Sequence, residues 1–401
     1  MKTRAAVRMA LVTAWLCVPA AAVTPAQLLG PDLEARKGQV VYLRGGELGF
    51  FDADRSLCSE PIDQLVQIRF LHELPENPQR DGADPGVDPA VPPSTFSAIE
   101  LTDGQVLAGS WAGADGQLLR WRHPHMGLTT VSLDELRAVR FAPVLRAEGG
   151  GHDLVQLANG DMLLGYVLAL QAESIEFQLA GEGAGTAKLS VDRIKSLSLA
   201  NEPDPVETDH QIVWLRDGTR LNSSSLGIEN NHLQLETRLK WADGAPRRSV
   251  ALKQVQRIDL AMSGRRLVSL ADQPLRVVAG GAVFGRQIAP LQDKGGLRIH
   301  APIAVEIDLP AGASRLGGIA ELDLSEGGVS SGFAQWADFE LVLSLDGREV
   351  DRHHFDHSSP STAINVPVNG AVLRIELLEA ANGPIMDRLH LRGLVVLVMR
   401  H

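Results

Sequence analysis

The stretch VQLANGDMLLG, residues 155–165, decides the fold class. Apolar residues stand at alternate positions on both sides of Asn159-Gly160, a pattern typical of two strands that each bury one face. Asn-Gly tolerates positive φ at both central positions of a tight turn, as a two-residue hairpin requires. The stretch therefore predicts a β-hairpin with one buried face.

Related hairpins occur three more times, as VYLRGGEL from Val41, IELTDGQVLAG from Ile99 and VWLRDGTRL from Val213. A nine-residue pattern follows each of them, with apolar residues at its first, fourth, seventh and last positions. Its four copies are IDQLVQIRF from Ile62, LDELRAVRF from Leu133, VDRIKSLSL from Val191 and LKQVQRIDL from Leu252. A step of three suits one helical turn and a step of two suits a strand. Each copy is therefore predicted to end in a short turn of helix that leads into a strand.

Three copies have room for further alternating segments between these two patterns. Each of them predicts a meander of about five short strands. A sheet this small hides its edges best by curling shut, and its strand spacing resembles that of the small barrels with SH3-like and Sm-like folds. We therefore expect tandem small five-stranded β-barrels at residues 96–145, 150–202 and 208–263.

The first copy is shorter than the others. Residues 38–71 hold both halves of the repeat without room for the middle strands, which predicts a degenerate first repeat. Residues 72–95 then contain six prolines, several acidic residues and almost no apolar ones. This composition is typical of an extended linker.

The repeat pattern ends near residue 260, and a different β pattern follows. Alternation is clear in 304–309 and 339–343, and seven or eight strand-like runs are separated by Gly, Pro and Asp. This number of short strands predicts a two-sheet β-sandwich over residues 265–401. The complete expectation is an all-β chain of small barrels followed by a jelly-roll sandwich.

The order of segments in this last region resembles a known family. The segments are GGLRIHAPIAVEIDLP, RLGGIAELD, FELVLSLDGREV and AVLRIELLEAANGPIMDRLHLRGLVVL. They are similar to the NPCBM group of carbohydrate-binding modules, and the matching features are Gly296–Ala301, Asp323, the Asp346-Gly347 hairpin and Gly383–Asp387. The resemblance implies a galactose-binding-like jelly roll, with a carbohydrate or glycoprotein as the partner.

The first 22 residues have the pattern of a secretory signal peptide. Lys2, Arg4 and Arg8 precede an apolar stretch at 9–18 and the small residues at 20–22. That stretch is too short for a permanent membrane anchor, and no later segment is long enough to be one. We expect export to the periplasm, the cell surface or the exterior, with no transmembrane segment after cleavage. Cleavage would leave Cys58 as a lone, structural cysteine.

Charge and motifs exclude several classes of function. The formal net charge is −11, which argues against a nucleic-acid partner. The chain contains no G-x-S-x-G, no H-E-x-x-H and no phosphate-cradling glycine loop. The sequence therefore favours a non-catalytic binding protein that needs no cofactor.

The residues expected at a ligand site lie in the predicted sandwich. Phe333, Gln335, Trp336 and Asp338 combine aromatic rings with polar groups, as sugar recognition requires, and the alternative, which the pattern favours, is that the rings cap the core. Asp351–His357 and His123–His125 contain metal-ligating side chain types, but neither has a further ligand nearby in sequence. We therefore predict no metal site.

Three functional hypotheses remain open. The first is an exported protein whose sandwich recognises carbohydrate or glycoprotein, with the barrels as spacers or contact modules. The second is a structural or assembly protein of the cell envelope that uses both parts for protein–protein contact. The third is an accessory subunit of a secreted hydrolase.

Overall fold

The computed structural model describes residues 23–71, 97–142, 151–181, 185–204, 210–260, 264–283, 285–293, 296–323, 336–380, 383 and 387–399. In these ranges the regular structure is strand, apart from single-turn 3₁₀ helices, which confirms the all-β prediction. The predicted signal peptide and linker lie outside the described residues. Within the described ranges, no helix has the length and apolar character needed to cross a membrane.

The first 22 strands form four modules with similar strand order. The first contains β1 Thr24–Leu29, β2 Ala35–Arg44, β3 Glu47–Phe51, β4 Leu57–Pro61 and β5 Gln67–Phe70. The second contains β6 Ser97–Leu101, β7 Val106–Asp115, β8 Leu118–His123, β9 Gly127–Ser132 and β10 Leu136–Arg140. The third contains β11 Asp153–Leu157, β12 Met162–Leu170, β13 Ser174–Leu179, β14 Thr186–Ser190 and β15 Ile194–Ser198. The fourth contains β16 Gln211–Leu215, β17 Arg220–Ser223, β18 Ser225–Glu229, β19 His232–Glu236, β20 Lys240–Trp241, β21 Arg247–Ala251 and β22 Val255–Asp259.

Strand pairing repeats from module to module. The first strand of each module pairs antiparallel with the second strand and also with the last strand. A 3₁₀ helix immediately precedes the last strand or lies within two residues of it, which confirms the predicted turn. The four helices are Ile62–Gln64, Leu133–Glu135, Val191–Arg193 and Leu252–Gln254.

The first module differs from the sequence prediction. Its first strand, β1, begins at Thr24, and the unit therefore has five strands within residues 24–70. The Gly45-Gly46 hairpin joins the second and third strands, whereas Asp103-Gly104 joins the first and second strands of the second module. The equivalent turn in the first module is Gly30–Glu34, which lacks an Asn-Gly or Asp-Gly dipeptide. The Gly45-Gly46 turn therefore lies one strand later in its module than the Asp103-Gly104 turn does, and the sequence pattern missed the first strand of this copy.

Separate closed barrels are not confirmed. The strand that precedes the 3₁₀ helix in each module is β4, β9, β14 or β21. In the described residues, none of these strands pairs with the last strand of its module. The modules instead continue into one another through the pairs β10–β15, β5–β22 and β9–β20. All 22 strands thus belong to one hydrogen-bonded set. Some of the edges that a barrel would hide by closing are covered here by a neighbouring module.

The C-terminal body is a two-sheet sandwich, as predicted. Its strands are β23 Arg265–Ser269, β24 Leu275–Gly280, β25 Ala282–Val283, β26 Arg286–Gln287, β27 Leu291–Asp293, β28 Gly296–His300, β29 Ile303–Asp308, β30 Ala313–Leu322, β31 Asp338–Leu345, β32 Arg348–Asp356, β33 Ser361–Pro367, β34 Val372–Glu379 and β35 Arg388–Met399. One sheet has the order β27-β28-β35-β30-β33, with β23 also on β35, and the other has the order β24-β29-β34-β31-β32. Apolar residues of both sheets form one buried core, in which the Phe339 and Phe355 rings stack with centroids 5.3 Å apart.

The first module contacts the sandwich through its Gly30–Glu34 turn. Leu33 at the tip is 6% exposed and packs with Val66 of its own module and Leu397 of the sandwich. Nearby, the Arg315 guanidinium donates a hydrogen bond to the Asp32 carbonyl at 3.2 Å. The two parts of the chain therefore share a small apolar contact in addition to their covalent connection.

Candidate functional site

Buried polar side chains gather at one end of the sandwich. Among its described residues, those that are both buried and polar or charged are His300, Asp323 and Asp387. His300 ends β28, Asp323 follows β30, and Asp387 precedes β35. Hydrogen bonds tie this end together, because the Asp387 carbonyl accepts from the Ala301 amide at 2.9 Å. Buried polar groups are costly unless satisfied, so their concentration here marks this end as the functional candidate.

Asp387 is the most perturbed of these groups. Its side chain is fully buried, and Oδ1 accepts a hydrogen bond from the Asp338 amide at 3.0 Å. Oδ2 has no hydrogen-bond partner among the described residues. Burial raises the pKa of the Asp387 carboxyl to about 7, the Asp338 amide opposes the change, and the charges of Asp338 and Glu379 add to it. The proton therefore binds this group near neutral pH.

Asp387→Asn is expected to stabilise the sandwich at pH 8 and to change its stability little at pH 4. The folded pKa lies above the ordinary value, so wild-type stability is full at low pH and falls as the pH rises towards 7. Asparagine keeps the acceptor for Asp338 and carries no charge, which should raise the free energy of unfolding by about 2 kcal/mol at pH 8. Urea unfolding of both proteins at the two pH values measures the difference.

Asp308→Asn is the control for this experiment, because Asp308 is an exposed acid of the same body that pairs with Arg276 on the surface. It should shift stability by less than about 0.5 kcal/mol at either pH. An equal effect of Asp387→Asn at pH 4 and pH 8 would contradict the assigned titration.

A tryptophan and three polar residues lie at the same end, where β31 begins and the edge strand β32 of the same sheet ends. Trp336 is 48% exposed and lies two residues before the start of β31. Asp338 pairs with Asp356 across β31 and β32, and its carboxylate lies 3.5 Å from His354 Nε2. Hydrogen bonds from the Ser358 hydroxyl and the Ser359 amide lower the pKa of Asp356, which keeps it ionised. We call Trp336, Asp338, His354 and Asp356 the β31–β32 corner.

The four predicted ligand residues have different outcomes. Phe333 and Gln335 lie outside the described residues. Trp336 and Asp338 lie two residues apart at the start of β31, and the Trp336 side chain is exposed instead of capping the core. Phe339, which directly follows Asp338, is a core residue stacked on Phe355. Nothing in the structure tests whether Trp336 and Asp338 bind a ligand, so this assignment stays a prediction.

His354, Asp356 and Asp387 are candidate site residues that no sequence motif indicated. His354 and Asp356 were considered only as metal ligands, although their alternation with Phe355 already placed both of them on the outer face of one strand. Asp323 and Asp387 were family markers without a role, and the structure brings both to the end that carries Trp336. Their burial depends on contacts with distant loops, which no local pattern in the sequence reports.

The histidine-rich segment Asp351–His357 divides between the two faces of β32. On one face His353 lies 2.8 Å from the Asp351 carboxylate, and on the other His354 faces Asp338. Among the described residues, no group of three His, Cys, Asp or Glu side chains is arranged to hold a metal ion.

His123 has a structural environment between modules. It is fully buried, its Nε2 lies 2.9 Å from the Thr219 hydroxyl of the fourth module, and its Nδ1 accepts from the His125 and Met126 amides. Burial lowers the pKa of His123 to about 4, although Asp217 acts against this. A neutral imidazole with both nitrogens in contact with protein polar groups is a packing element.

Cys58 is a free, half-buried thiol at the edge of the first module's core. Desolvation and the Asp52 carboxylate, 3.5 Å from Sγ, raise the pKa of the thiol. A thiol with a raised pKa is a poor nucleophile, which fits the predicted structural role.

A cleft of about 440 Å³ lies between the second and fourth modules. Its walls carry both signs of charge, including Asp103, Asp204, Arg238 and Lys240. Thr102 donates a hydrogen bond to Asp204 there at 2.6 Å. The mixed charges and internal bonds indicate a seam between docked modules.

Comparisons with known proteins give fold likenesses of low similarity. No family model and no curated protein matches the chain. The carbohydrate-binding module CBM51 from Clostridium perfringens GH95, solved in complex with methyl-galactose, is 12% identical over 32% of this chain and 99% of its own, with a TM-score of 0.24. Tandem CBM51 modules of Sp3GH98, a family 98 glycoside hydrolase from Streptococcus pneumoniae, are 12% identical over 94% of this chain and 88% of theirs, with a TM-score of 0.25.

The lectin domain of lectinolysin, solved with Lewis B antigen, is 17% identical over 33% of this chain and 97% of its own, with a TM-score of 0.21. Identities and TM-scores this low carry no argument about what the present chain binds.

Proposed function

We propose that the sandwich binds a carbohydrate, free or on a glycoprotein, at the β31–β32 corner. The observation that carries the proposal is an exposed Trp336 two residues before Asp338, whose carboxylate lies 3.5 Å from His354 Nε2 and which pairs with Asp356 across β31 and β32. Sugars are recognised by stacking of their apolar faces on aromatic rings, combined with hydrogen bonds to polar side chains around the ring. The resemblance of this region to the NPCBM group supports the same ligand class.

We propose further that the protein is exported and non-catalytic. The signal-peptide pattern of residues 1–22 supports export. A non-catalytic role fits a surface corner that needs only stacking and hydrogen bonding. The four modules would then serve as spacers or contact surfaces that hold the sandwich away from the place of attachment. Small closed barrels remain our interpretation of each module's strand order, with the first strand joining the second and the last.

Trp336→Ala is expected to weaken glycan binding at least 10-fold. Loss of one stacking ring costs on the order of 1.4 kcal/mol or more, which is a factor of ten in affinity. The full chain is first screened on a glycan array that includes methyl-galactose and Lewis B antigen, and the best ligand is then titrated by calorimetry. The proposal would be refuted if the protein bound no glycan on the array, or if the wild type and the variant bound the best ligand with equal affinity.

Leu291→Ala is the matched control for this titration. Leu291 is 47% exposed on β27 of the opposite sheet and is therefore as accessible as Trp336. Its removal should leave the affinity unchanged.

An assembly role in the envelope is the second candidate. It is favoured by one observation, a row of exposed apolar side chains along β12 of the third module. The assembly role would be favoured if the protein bound no glycan on the array and formed a complex with a defined protein partner.

A further inference from the structure

The second and fourth modules contact each other reciprocally through equivalent residues. Val106 and Arg220 each begin the second strand of their module, and they pair antiparallel with one another. The Thr219 hydroxyl accepts a hydrogen bond from the Ala108 amide at 3.0 Å. The Gln105 side-chain carbonyl accepts from the Asn222 amide, also at 3.0 Å.

The two hydrogen bonds are related by the repeat. Gln105 and Thr219 both directly follow the Asp-Gly turn, and Ala108 and Asn222 both stand three residues further on. Each module thus gives the other a side-chain acceptor and a backbone donor from the same positions in the repeat. Such an arrangement has an approximate two-fold axis at the Val106–Arg220 pair, as in an isologous interface.

We call residues 105–108 and 219–222 the docking segments, and the corresponding segment of the third module is Asp161–Leu164. It follows Asn159-Gly160 just as the others follow Asp-Gly. In the first module, the turn before the corresponding strand is covered by the sandwich through Leu33. Residues 34–37 of the first module, which correspond to the docking segments, are exposed, so among the described residues the docking segment pairs with another module in the second and fourth modules.

The third module leaves its docking segment exposed, with apolar side chains on it. Met162 is 54% exposed and Leu164 is 48% exposed. Tyr166 and Leu168 continue the same face of β12 and are 47% and 39% exposed. Four large apolar residues in a row on one strand face are unusual for a monomer surface and mark an interaction site.

We infer that this segment binds the same segment of a second copy of the chain. The contact between the second and fourth modules pairs equivalent residues about a two-fold axis, so an identical segment satisfies the same geometry. Met162 would lie opposite Met162 of the other copy, as Val106 lies opposite Arg220. The Asp161 carboxylate stands where Gln105 and Thr219 supply their acceptor, and would accept from the Leu164 amide of the other copy. The contact does not depend on whether the sandwich binds a sugar.

Disulfide trapping tests the register of this dimer. In a Cys17→Ser, Cys58→Ser background of the full chain, Met162→Cys is expected to form a covalent dimer under mild oxidation. Residues directly opposite in antiparallel strands have Cα atoms about 4.5–5.5 Å apart, which a disulfide can bridge. Leu168→Cys is the matched control on the same face. The Cα atoms of residue 168 in the two copies would lie roughly 40 Å apart, too far for a disulfide.

Sedimentation velocity of the full chain tests the dimer itself. The wild type is expected to dimerise, and Leu164→Asp should weaken the association at least 10-fold. Leu57→Asp changes a leucine that is 55% exposed on β4 of the first module and should leave the association unchanged. The inference would be overturned if the wild type stayed monomeric at concentrations up to about 100 µM, which is on the order of the dissociation constant of a weak interface. Trapping through residue 168 without trapping through residue 162 would also overturn it.

Discussion

Gly165→Ala is expected to destabilise the third module by about 3 kcal/mol or more. An added Cβ at this position would lie 1.9 Å from the Gln178 carbonyl oxygen and 2.8 Å from the Phe177 ring. Gly165 pairs with β11 on one side and β13 on the other, so neither neighbour can retreat without loss of strand hydrogen bonds. The free energy of unfolding from urea titration, followed by circular dichroism, measures the effect.

Gly185→Ala is the control in the same module. An added Cβ there meets no atom within 4 Å, and the backbone does not have positive φ. Alanine should therefore change stability by less than about 0.5 kcal/mol. Equal effects of the two substitutions would show that the loss comes from glycine's backbone freedom and not from the close approach of the strands.

A glycine recurs at this position in the first three modules. Gly109 of the second module meets Trp121 and the Arg122 carbonyl in the same way, and Gly38 of the first meets Phe50 and the Phe51 carbonyl. In the fourth module the position is Ser223, where β17 ends and the hydroxyl lies 3.0 Å from the Glu236 carbonyl oxygen. At this position the second strand passes close under an aromatic side chain in the first three modules, and in the fourth module the strand ends there.

Local patterns predicted those parts of the fold that depend on neighbours in sequence. Alternation identified the strands, Asn159-Gly160 identified a hairpin, and the three-residue step at Leu133 and Leu136 identified the 3₁₀ helix. The turn at Gly30–Glu34 was missed because it carries none of the dipeptides that mark a tight hairpin. Prediction therefore succeeded where a turn had its own sequence signal.

Contacts between modules could not be predicted in this way. The β10–β15 and β5–β22 pairs join strands that are far apart in the chain, and nothing in either strand indicates its partner. The closed barrels were inferred from the need to hide sheet edges, and the molecule meets part of that need by pairing modules.

In the candidate site too, residues close in sequence could be predicted and contacts between distant residues could not. Trp336 and Asp338 were found because they are neighbours in sequence. Asp387 lies 49 residues from Asp338, and its carboxylate accepts a hydrogen bond from the Asp338 amide only because β31 and β35 both begin at the same end of the sandwich. A polar residue of this kind acquires its burial, and with it its raised pKa, from the assembled fold.

Leu33→Gly is expected to weaken the docking of the first module on the sandwich by about 3 kcal/mol, which is more than a 100-fold change in the equilibrium between docked and open forms. Leu33 has a φ of 58°, a conformation that glycine adopts without strain. The substitution therefore removes the packing on Val66 and Leu397 without disturbing the turn. Limited proteolysis between residues 260 and 265 should become faster, and small-angle X-ray scattering should show a larger radius of gyration.

Gly317→Leu approaches the same contact from the sandwich side. An added Cβ at Gly317 would lie 2.8 Å from Leu33 Cδ1, so a larger side chain must displace the leucine and open the interface. Leu57→Gly, at an exposed leucine of the same module, should change neither readout. If both interface variants kept the wild-type radius of gyration, docking would rest on other contacts, such as the hydrogen bond from Arg315 to Asp32. If both opened the molecule, one buried leucine would account for most of the orientation of the sandwich, since the hydrogen bond from Arg315 to Asp32 is solvent-exposed and contributes little.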